Sequence, residues 1–392
     1  MRDGWTEWRA ADVMEINPRT VGVTDQSPFI TMADVSEWGR WARSSSARGS
    51  RGGCRAQGGD TLVARITPCL ENGKIAQVPR EWGAVGGSTE FIVLRAGGRV
   101  LPDFVYLWAQ SRDTHAAAIR RMIGTTGRQR VGSADYGDLP ILIPPASEQQ
   151  RIVDLIGTLD DAITAVDRER EESESTRGSI CAAAQASGVS TPLADLAVVS
   201  QGKSLPKAIQ GSKLGSTPWY KIADMAQLHN VHGYTRAETM LTAEGLEKHG
   251  GQLVSPGAVV FPRVGAAVLT EKKRLVLVEG AVDENHLVLT PRQGTDSEVL
   301  LAVMERLKLS DLVQTGAVPS LNMGLIRSTK VSWPADSVGS LGEVLGQFRE
   351  SLVALTASAR RLRGLRSQLL TALLSGEHEI PESYDDLMEV AS

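Results

Sequence analysis

Arginine carries the most concentrated chemistry in the chain. Arg40, Arg43, Arg48, Arg51 and Arg55 fall within residues 39–59, among small and neutral residues and with no acid. A guanidinium is a planar fork that pairs bidentately with phosphate oxygens or a guanine edge. The stretch therefore reads as a flexible cationic loop that contacts nucleic acid, against the plainer reading of a solvated loop. Gly127-Arg128-Gln129-Arg130 adds two forks and an amide suited to adenine. Lys74 follows the turn at Asn72-Gly73, Lys203, Lys207 and Lys213 punctuate a later loop, and Lys272 and Lys273 stand beside Arg274. For these lysines, phosphate contact and plain solvation are equal readings. Trp38 and Trp41 flank the start of the arginine stretch and read as core anchors, with base stacking as the alternative.

Catalytic equipment is missing from the sequence. It holds no GxxxxGK[ST] loop, no GxGxxG after a strand, no GxSxG elbow and no HExxH. Its one Pro-Pro, Pro144-Pro145, lacks the neighbours of a methyltransferase motif. The three cysteines, Cys54, Cys69 and Cys181, form no CxxC, which excludes a zinc ribbon or disulfide framework and fits a reducing cytoplasm. His229 and His232 are three apart without a third ligand. Glu271 and Lys273 resemble half of a metal-dependent nuclease site, the weakest of the functional readings. The expectation is a chain with no catalytic residue, no metal and no cofactor of its own.

The elements that must position the basic residues repeat. Phe29-Ile-Thr-Met-Ala-Asp34 resembles Trp219-Tyr-Lys-Ile-Ala-Asp224, and Gly59-Asp-Thr-Leu-Val-Ala-Arg65 resembles Gly257-Ala-Val-Val-Phe-Pro-Arg263. Glu90-Phe-Ile-Val-Leu94 matches Asn285-His-Leu-Val-Leu289, Thr126-Gly127 matches Thr315-Gly316, and Ser187-Gly188 matches Ser375-Gly376. These five matches are collinear. In the second copy the counterpart of the Arg128–Arg130 cluster is the stretch from Gly316 to Ser320 and Asn322, so small polar residues replace the arginine pair and the two copies would read different sequences. Short β-branched runs at 62–66, 90–94, 258–261, 274–278 and 286–290 predict strands, and 103–122 and 297–313 predict helices.

Each copy closes on a long helix. After Pro144-Pro145, Ser147 and Gln150 have capping-box spacing, as do Ser340 and Glu343 in the second copy. Ile152, Ile156, Leu159, Ile163 and Val166 step by 4 and 3, and so do Leu341, Leu345, Phe348, Leu352, Leu355, Ala359 and Leu362. That heptad seam predicts helix pairing rather than two helices lying separately on their globules. The fold class is α+β: two repeated mixed α/β globules, each followed by a long helix, the helices pairing as an antiparallel coiled coil about a pseudo-twofold axis. The expected segments are globules at 1–145 and 189–336, helices at 146–188 and 337–376, and an acidic tail at 377–392.

The net charge of −4 hides an alternation: +3 over residues 1–140, −5 over 141–180, +2 over 181–335 and −4 over 336–392. The basic blocks are the globules and the acidic blocks the helices and tail, so partners should differ block by block. No window reaches the roughly 18 apolar residues of a membrane helix. The N-terminus has no signal-peptide stretch. The expected location is cytoplasmic, without membrane contact.

Leu139-Pro-Ile-Leu-Ile-Pro-Pro145-Ala-Ser-Glu148-Gln149-Gln150-Arg151-Ile152 resembles the central Pro-Pro/Glu-Gln motif of specificity subunits of type I restriction-modification systems. The strands around Phe29–Asp34 and Gly59–Arg65 and the helix end at Leu369-Leu-Thr-Ala-Leu-Leu-Ser-Gly-Glu377 resemble other segments of that family. The resemblance implies two target recognition domains reading a bipartite double-stranded DNA site. It implies two helices that set the gap and dock two methyltransferase subunits, and a further restriction/translocase subunit. S-adenosylmethionine and ATP/Mg would belong to those partners. DNA contact would fall to the arginines and lysines above with Gln129, Ser320 and Asn322. Docking and helix pairing would fall to Glu148, Gln149, Ile152, Ile156, Leu159, Ile163, Leu345, Phe348, Leu352, Leu355 and Leu362. The second copy departs from the pattern, with Trp333-Pro334-Ala-Asp-Ser337 in place of Pro-Pro and Glu-Gln. The alternative is a coiled-coil scaffold that binds protein alone.

Overall fold

The structure is a computed structural model and describes residues 4–44, 46–47, 52–125, 127–314, 316, 318–334, 338–381 and 383–385. They divide into two compact units, one within residues 1–165 and 359–392 and the other within 166–358. Arg48, Arg51, Thr126, Thr315 and Ser337 lie outside the described residues.

In the first unit the central sheet is antiparallel, in the order Met14–Ile16, Phe91–Ala96, Thr61–Ala64, Ile75–Gln77. The run Phe91-Ile-Val-Leu94 is buried without interruption because its two faces meet different cores. Ile92 and Leu94, with Val63, join the core shared with the helices; Phe91 and Val93, with Leu62 and Ala64, join the core under a second sheet. Side chains alternate across a strand, so a strand covered on both sides must be apolar at every position. The second sheet runs Ser46–Ala47, Pro28–Ile30, Ala84–Gly87, Cys54–Gln57, with one parallel pair, Phe29 beside Gly86. Residues 39–59 are therefore not one flexible loop. They supply both edge strands of this sheet. The alternation is hard to see in the sequence because the inward residues of Cys54–Gln57 are small, Cys54 partly buried and Ala56 1% exposed.

The helical layer of the first unit is Pro102–Gln110 and Arg112–Arg120. The single helix expected over 103–122 breaks at Ser111, which leaves helical dihedrals (φ −61°, ψ 147°) and caps the second helix by accepting the Thr114 N–H.

The second unit repeats this plan. Its central sheet runs Ala197–Gln201, His286–Pro291, Val259–Pro262, Arg274–Leu275, and its second sheet Thr239–Leu241, Thr217–Tyr220, Gly280–Val282, Leu253–Val254. The parallel pair recurs as Trp219 beside Ala281. Leu287 and Leu289 face the core with helix Ser297–Arg306, while Val288 faces the other core. The repeat holds at single hydrogen bonds. Asp34 Oδ2 accepts the Thr31 N–H at 2.8 Å and Asp224 Oδ2 accepts the Lys221 N–H at 2.8 Å.

An antiparallel ribbon leads into each long helix: Thr6–Arg9 with Pro140–Ile143, and Val189–Pro192 with Lys330–Trp333. The helices are Ala146–Ala186 (41 residues) and Val338–Leu374 (37 residues). At the α-helical rise they are about 60 and 55 Å long. Residues of both helices occur in both units. Ser147 and Ser340 lie inside the first turns, so neither is the N-cap that its spacing suggested. In the first unit Arg151 pairs with Asp385 and Asp160 with Arg366, so numbering falls along one segment as it rises along the other. The arrangement there is antiparallel.

The heptad seam serves the cores as well as the pairing. Ile152 and Ile156 are 1% and 0% exposed within the first unit's core, and Leu345 is 0% exposed within the second's. Leu352 is buried, while Leu159, Ile163, Phe348, Leu355 and Leu362 are half-buried. Pairing alone does not bury this stripe, because its outer positions lie against each unit's own helices and sheet. Among the described residues no helix is long and apolar enough to cross a membrane.

Candidate nucleic-acid interface

The basic residues separate into two groups once their partners are known. The first group is held by the fold. Arg40 donates to Asp103 Oδ1 at 3.1 Å and lies over the rings of Trp41 and Tyr106. Arg130 makes a bidentate pair with Glu90, Nε to Oε2 at 2.9 Å and Nη2 to Oε1 at 2.7 Å. The hydrogen bond from Arg130, with the charge of Arg65 adding to it, holds the Glu90 carboxyl below the usual range. Lys74 donates to the Met32 carbonyl at 2.6 Å, and Lys213 to the Glu238 carbonyl.

Lys273 is 3% exposed, which corrects its expected DNA contact. Its ammonium donates to Glu271 Oε2 and to the Leu307 carbonyl, both at 2.8 Å. Glu271 also accepts the N–H groups of Leu309 at 2.7 Å and Ser310 at 2.9 Å. Burial alone would raise the Glu271 carboxyl, but these donors bring it down to about 2. The pair is a clip between a turn and the segment after helix Ser297–Arg306. The fold thus occupies both groups of the nuclease reading.

Asn322 is likewise committed, as the cap of helix Met323–Ser328, accepting the Gly324 N–H at 2.7 Å and the Leu325 N–H at 3.3 Å. Ser320 bridges Val264 and Gln314, where Arg130 bridges Ile66 and Ile123 in the first unit. The substitution of a small polar residue for the arginine therefore occurs at one structural position, as the sequence repeat implied.

The second group faces solvent. Arg43, Arg55 and Arg128 are exposed in the first unit, with Gln129 half-buried beside Arg128. In the second, Lys203 and Lys207 are exposed and Lys272 is half-buried. Trp38 and Trp41 are 49% and 44% exposed, so they are not core anchors. Trp38 adopts φ 58°, rare for a bulky residue, and its ring lies edge-on to His115. A Cβ on Gly73, whose φ is +69°, would come within 2.3 Å of that ring.

The long-helix residues assigned to partner docking are also placed by the fold. Gln149 is 1% exposed. It accepts the Leu101 N–H at 2.8 Å and donates to the carbonyls of Arg99 and Pro144 at 3.0 Å each. Glu148 accepts the Trp5 indole N–H at 3.1 Å. The Glu-Gln pair thus anchors the helix start to its own unit.

Sequence reasoning missed two groups. Arg19 and Arg65 lie with Arg55 around one cleft of the first unit. Arg65 was visible as one end of a repeat match, but nothing in the linear sequence joins positions 19, 55 and 65. The second is a buried chain in the second unit: His286 Nδ1 is 2.7 Å from Asp283 Oδ1, and Nε2 is 2.8 Å from the Tyr234 hydroxyl. His286 and Tyr234 are both 0% exposed, so the chain ties strands together without reaching any substrate.

No family model matches the chain. Two curated proteins of Escherichia coli resemble it. The type I restriction enzyme EcoEI specificity subunit is 29% identical over 189 residues, covering 44% of this chain and 30% of that protein. The EcoAI specificity subunit is 29% identical over 165 residues, covering 38% and 27%. The match spans less than a third of the length of either relative. Among solved structures, the type I restriction-modification S subunit from M. genitalium has a TM-score of 0.58 at 13% identity, covering 96% of this chain and 97% of that one. A chain from a study of complex assembly and conformational transition of the type I R-M system has a TM-score of 0.50 at 17% identity, covering 95% and 98%. The fold is therefore that of type I restriction-modification specificity subunits, the class to which both curated relatives also belong.

Proposed function

We propose that the chain is a non-catalytic DNA-specificity subunit of a type I restriction-modification complex. Each unit reads one part of a bipartite site on double-stranded DNA, and the long helices set the unread gap. The observation that carries this reading is the repeat. Two units share one strand order down to the Asp34 and Asp224 hydrogen bonds, yet expose different cations, Arg43, Arg55 and Arg128 in one and Lys203 and Lys207 in the other. One scaffold with different exposed groups suits two half-sites of different sequence. With half-site centres roughly 34 Å apart, both units would meet one face of the duplex. Exposed Arg43, Arg55, Arg128, Lys203 and Lys207 supply the contacts, cations to phosphate positioning the duplex and forks to base edges specifying it. Two methyltransferase subunits dock on the chain, with a restriction/translocase subunit joining the complex. S-adenosylmethionine and ATP/Mg act on those partners.

The test is a genome-wide map of adenine methylation in the source strain and in a strain lacking this chain. The expected result is a two-part motif with an unread gap that disappears on deletion. A gapped motif that survives deletion, or none in the parent strain, would overturn the reading.

A further inference from the structure

A cleft of about 350 Å³ opens in the first unit, and three guanidiniums line it. They come from separate parts of the fold. Arg19 follows the edge strand Met14–Ile16, Arg55 belongs to the edge strand Cys54–Gln57 of the other sheet, and Arg65 directly follows Thr61–Ala64. No Asp or Glu lines the cleft; its other lining residues include Asn17, Thr20 and Thr89. Among the described residues none of these three arginines forms an ion pair, in contrast to Arg40, Arg95 and Arg130 of the same unit. Glu90, whose carboxylate feels the Arg65 charge, is already committed to Arg130. Arg65 Nε is buried and has no hydrogen-bond partner. Buried N–H groups are almost always satisfied, so this donor of a cleft-lining guanidinium is an exception that the fold leaves unpaired.

With Glu90 shared between Arg130 and Arg65, the cleft stays net cationic unless an anion joins it. The guanidinium forks suit tetrahedral oxygens, which accept several N–H groups at once. Arg19 and Arg55 are exposed and Arg65 is half-buried. The cleft wall is kept thin by Gly53 (φ +99°), where a Cβ would lie 2.0 Å from the Gly87 carbonyl.

We infer that the cleft between Arg19, Arg55 and Arg65 holds a backbone phosphodiester of duplex DNA, fixing the register of the first unit on its half-site. The inference rests on the DNA-reading function proposed above and deepens it. The site belongs to the first unit. In the second, Arg263 takes the place of Arg65, its N–H bonded to the Asn285 carbonyl as that of Arg65 is to Glu90, but its Nε already donates to the Glu284 carbonyl. The two units would then grip the backbone differently while sharing a scaffold.

The test uses the full chain purified from its source cells with its bound subunits, and duplex DNA of random sequence as the probe. The dissociation constant is measured by fluorescence anisotropy across a salt series. Each neutralised phosphate contributes about −0.9 to the slope of log K against log salt. Arg19→Gln with Arg55→Gln is expected to make the slope shallower by about 0.9 and to weaken binding equally on unrelated sequences. Arg19→Lys with Arg55→Lys should keep the wild-type slope. Arg112→Gln with Arg120→Gln, which removes the same charge from a helix of the same unit, should also keep it. An unchanged slope in the glutamine variant overturns the cleft assignment alone. An equal loss in the Arg112/Arg120 variant overturns it too, since net charge would then explain the effect. If the wild-type complex shows no salt-dependent binding, the proposed function fails and the cleft assignment with it. Arg65→Gln with a retained melting temperature offers a second reading, expected to shift the slope in the same direction.

Discussion

Lys273 is an ammonium held almost entirely away from water, and Glu271 is the counter-charge that makes this tolerable. Removing one partner of a fully buried pair costs about 3–5 kcal/mol. Glu271 is itself partly exposed, so Glu271→Gln is expected at or below the bottom of that range, about 2–3 kcal/mol, read as a lowered denaturation midpoint with unchanged m-value. The carboxyl's folded-state value of about 2 is depressed below its ordinary value of 4.5. Its contribution is therefore fully present above pH 4.5 and lost as pH falls toward 2. Acid titration of stability should show that loss in the wild type and a smaller one in the glutamine variant. Gln149 illustrates the same logic without charge. Gln149→Ala leaves the Leu101 N–H and two carbonyls without their partner and is expected to cost about 1–3 kcal/mol, measured by urea unfolding. Arg128 is a different case, exposed and holding nothing in place. Arg128→Ala should leave stability within about 0.5 kcal/mol, and if the arginine reads a base it should relax one position of the methylated motif.

At the scale of elements, the long helices have two tasks that compete for the same stripe. Ile156 is fully buried in the first unit's core, whereas Leu365 on the other long helix is 50% exposed. Ile156→Ala is expected to destabilise by about 2–5 kcal/mol, the range for emptying a packed site. Leu365→Ala should change folding by less than about 0.5 kcal/mol. Leu365 lies off the stripe, so equal costs in thermal unfolding would show that Ile156 is not packed in that core. The heptad steps were legible because helix periodicity needs only local spacing. That the stripe's outer positions join each unit's core was not, because the same Ile or Leu satisfies either environment. Strand existence was legible for the same local reason. The edge strand Cys54–Gln57 was hidden because small and charged residues give little alternation, and its pairing with Ala84–Gly87 lies far along the chain.

For the whole molecule, the prediction concerns the division of labour between the units. Substituting Arg43 and Arg128 should alter only one half of the methylated motif, and substituting Lys203 and Lys207 only the other, as mapped by single-molecule sequencing of strains carrying each variant. A change in both halves from one unit's substitutions would contradict independent reading by two modules. The second unit's polar core should not affect the motif except through folding, since Asp283, His286 and Tyr234 bond to one another and to the backbone of Lys221 and Asn285.

The sequence by itself determined the repeat, the two long helices, the continuous apolar strands and the absence of familiar catalytic motifs. Each of these is written in local spacing or in residue order. Tertiary structure alone decided which cations are free. Arg40 and Arg130 found acids distant in the chain, Lys273 was closed in with Glu271 against the Leu307 carbonyl, and Asn322 found a helix start, whereas Arg19, Arg55 and Arg65 were brought to one cleft with no acid lining it. Charge is a property of the residue, but its availability depends on what the fold places within a few ångströms of it.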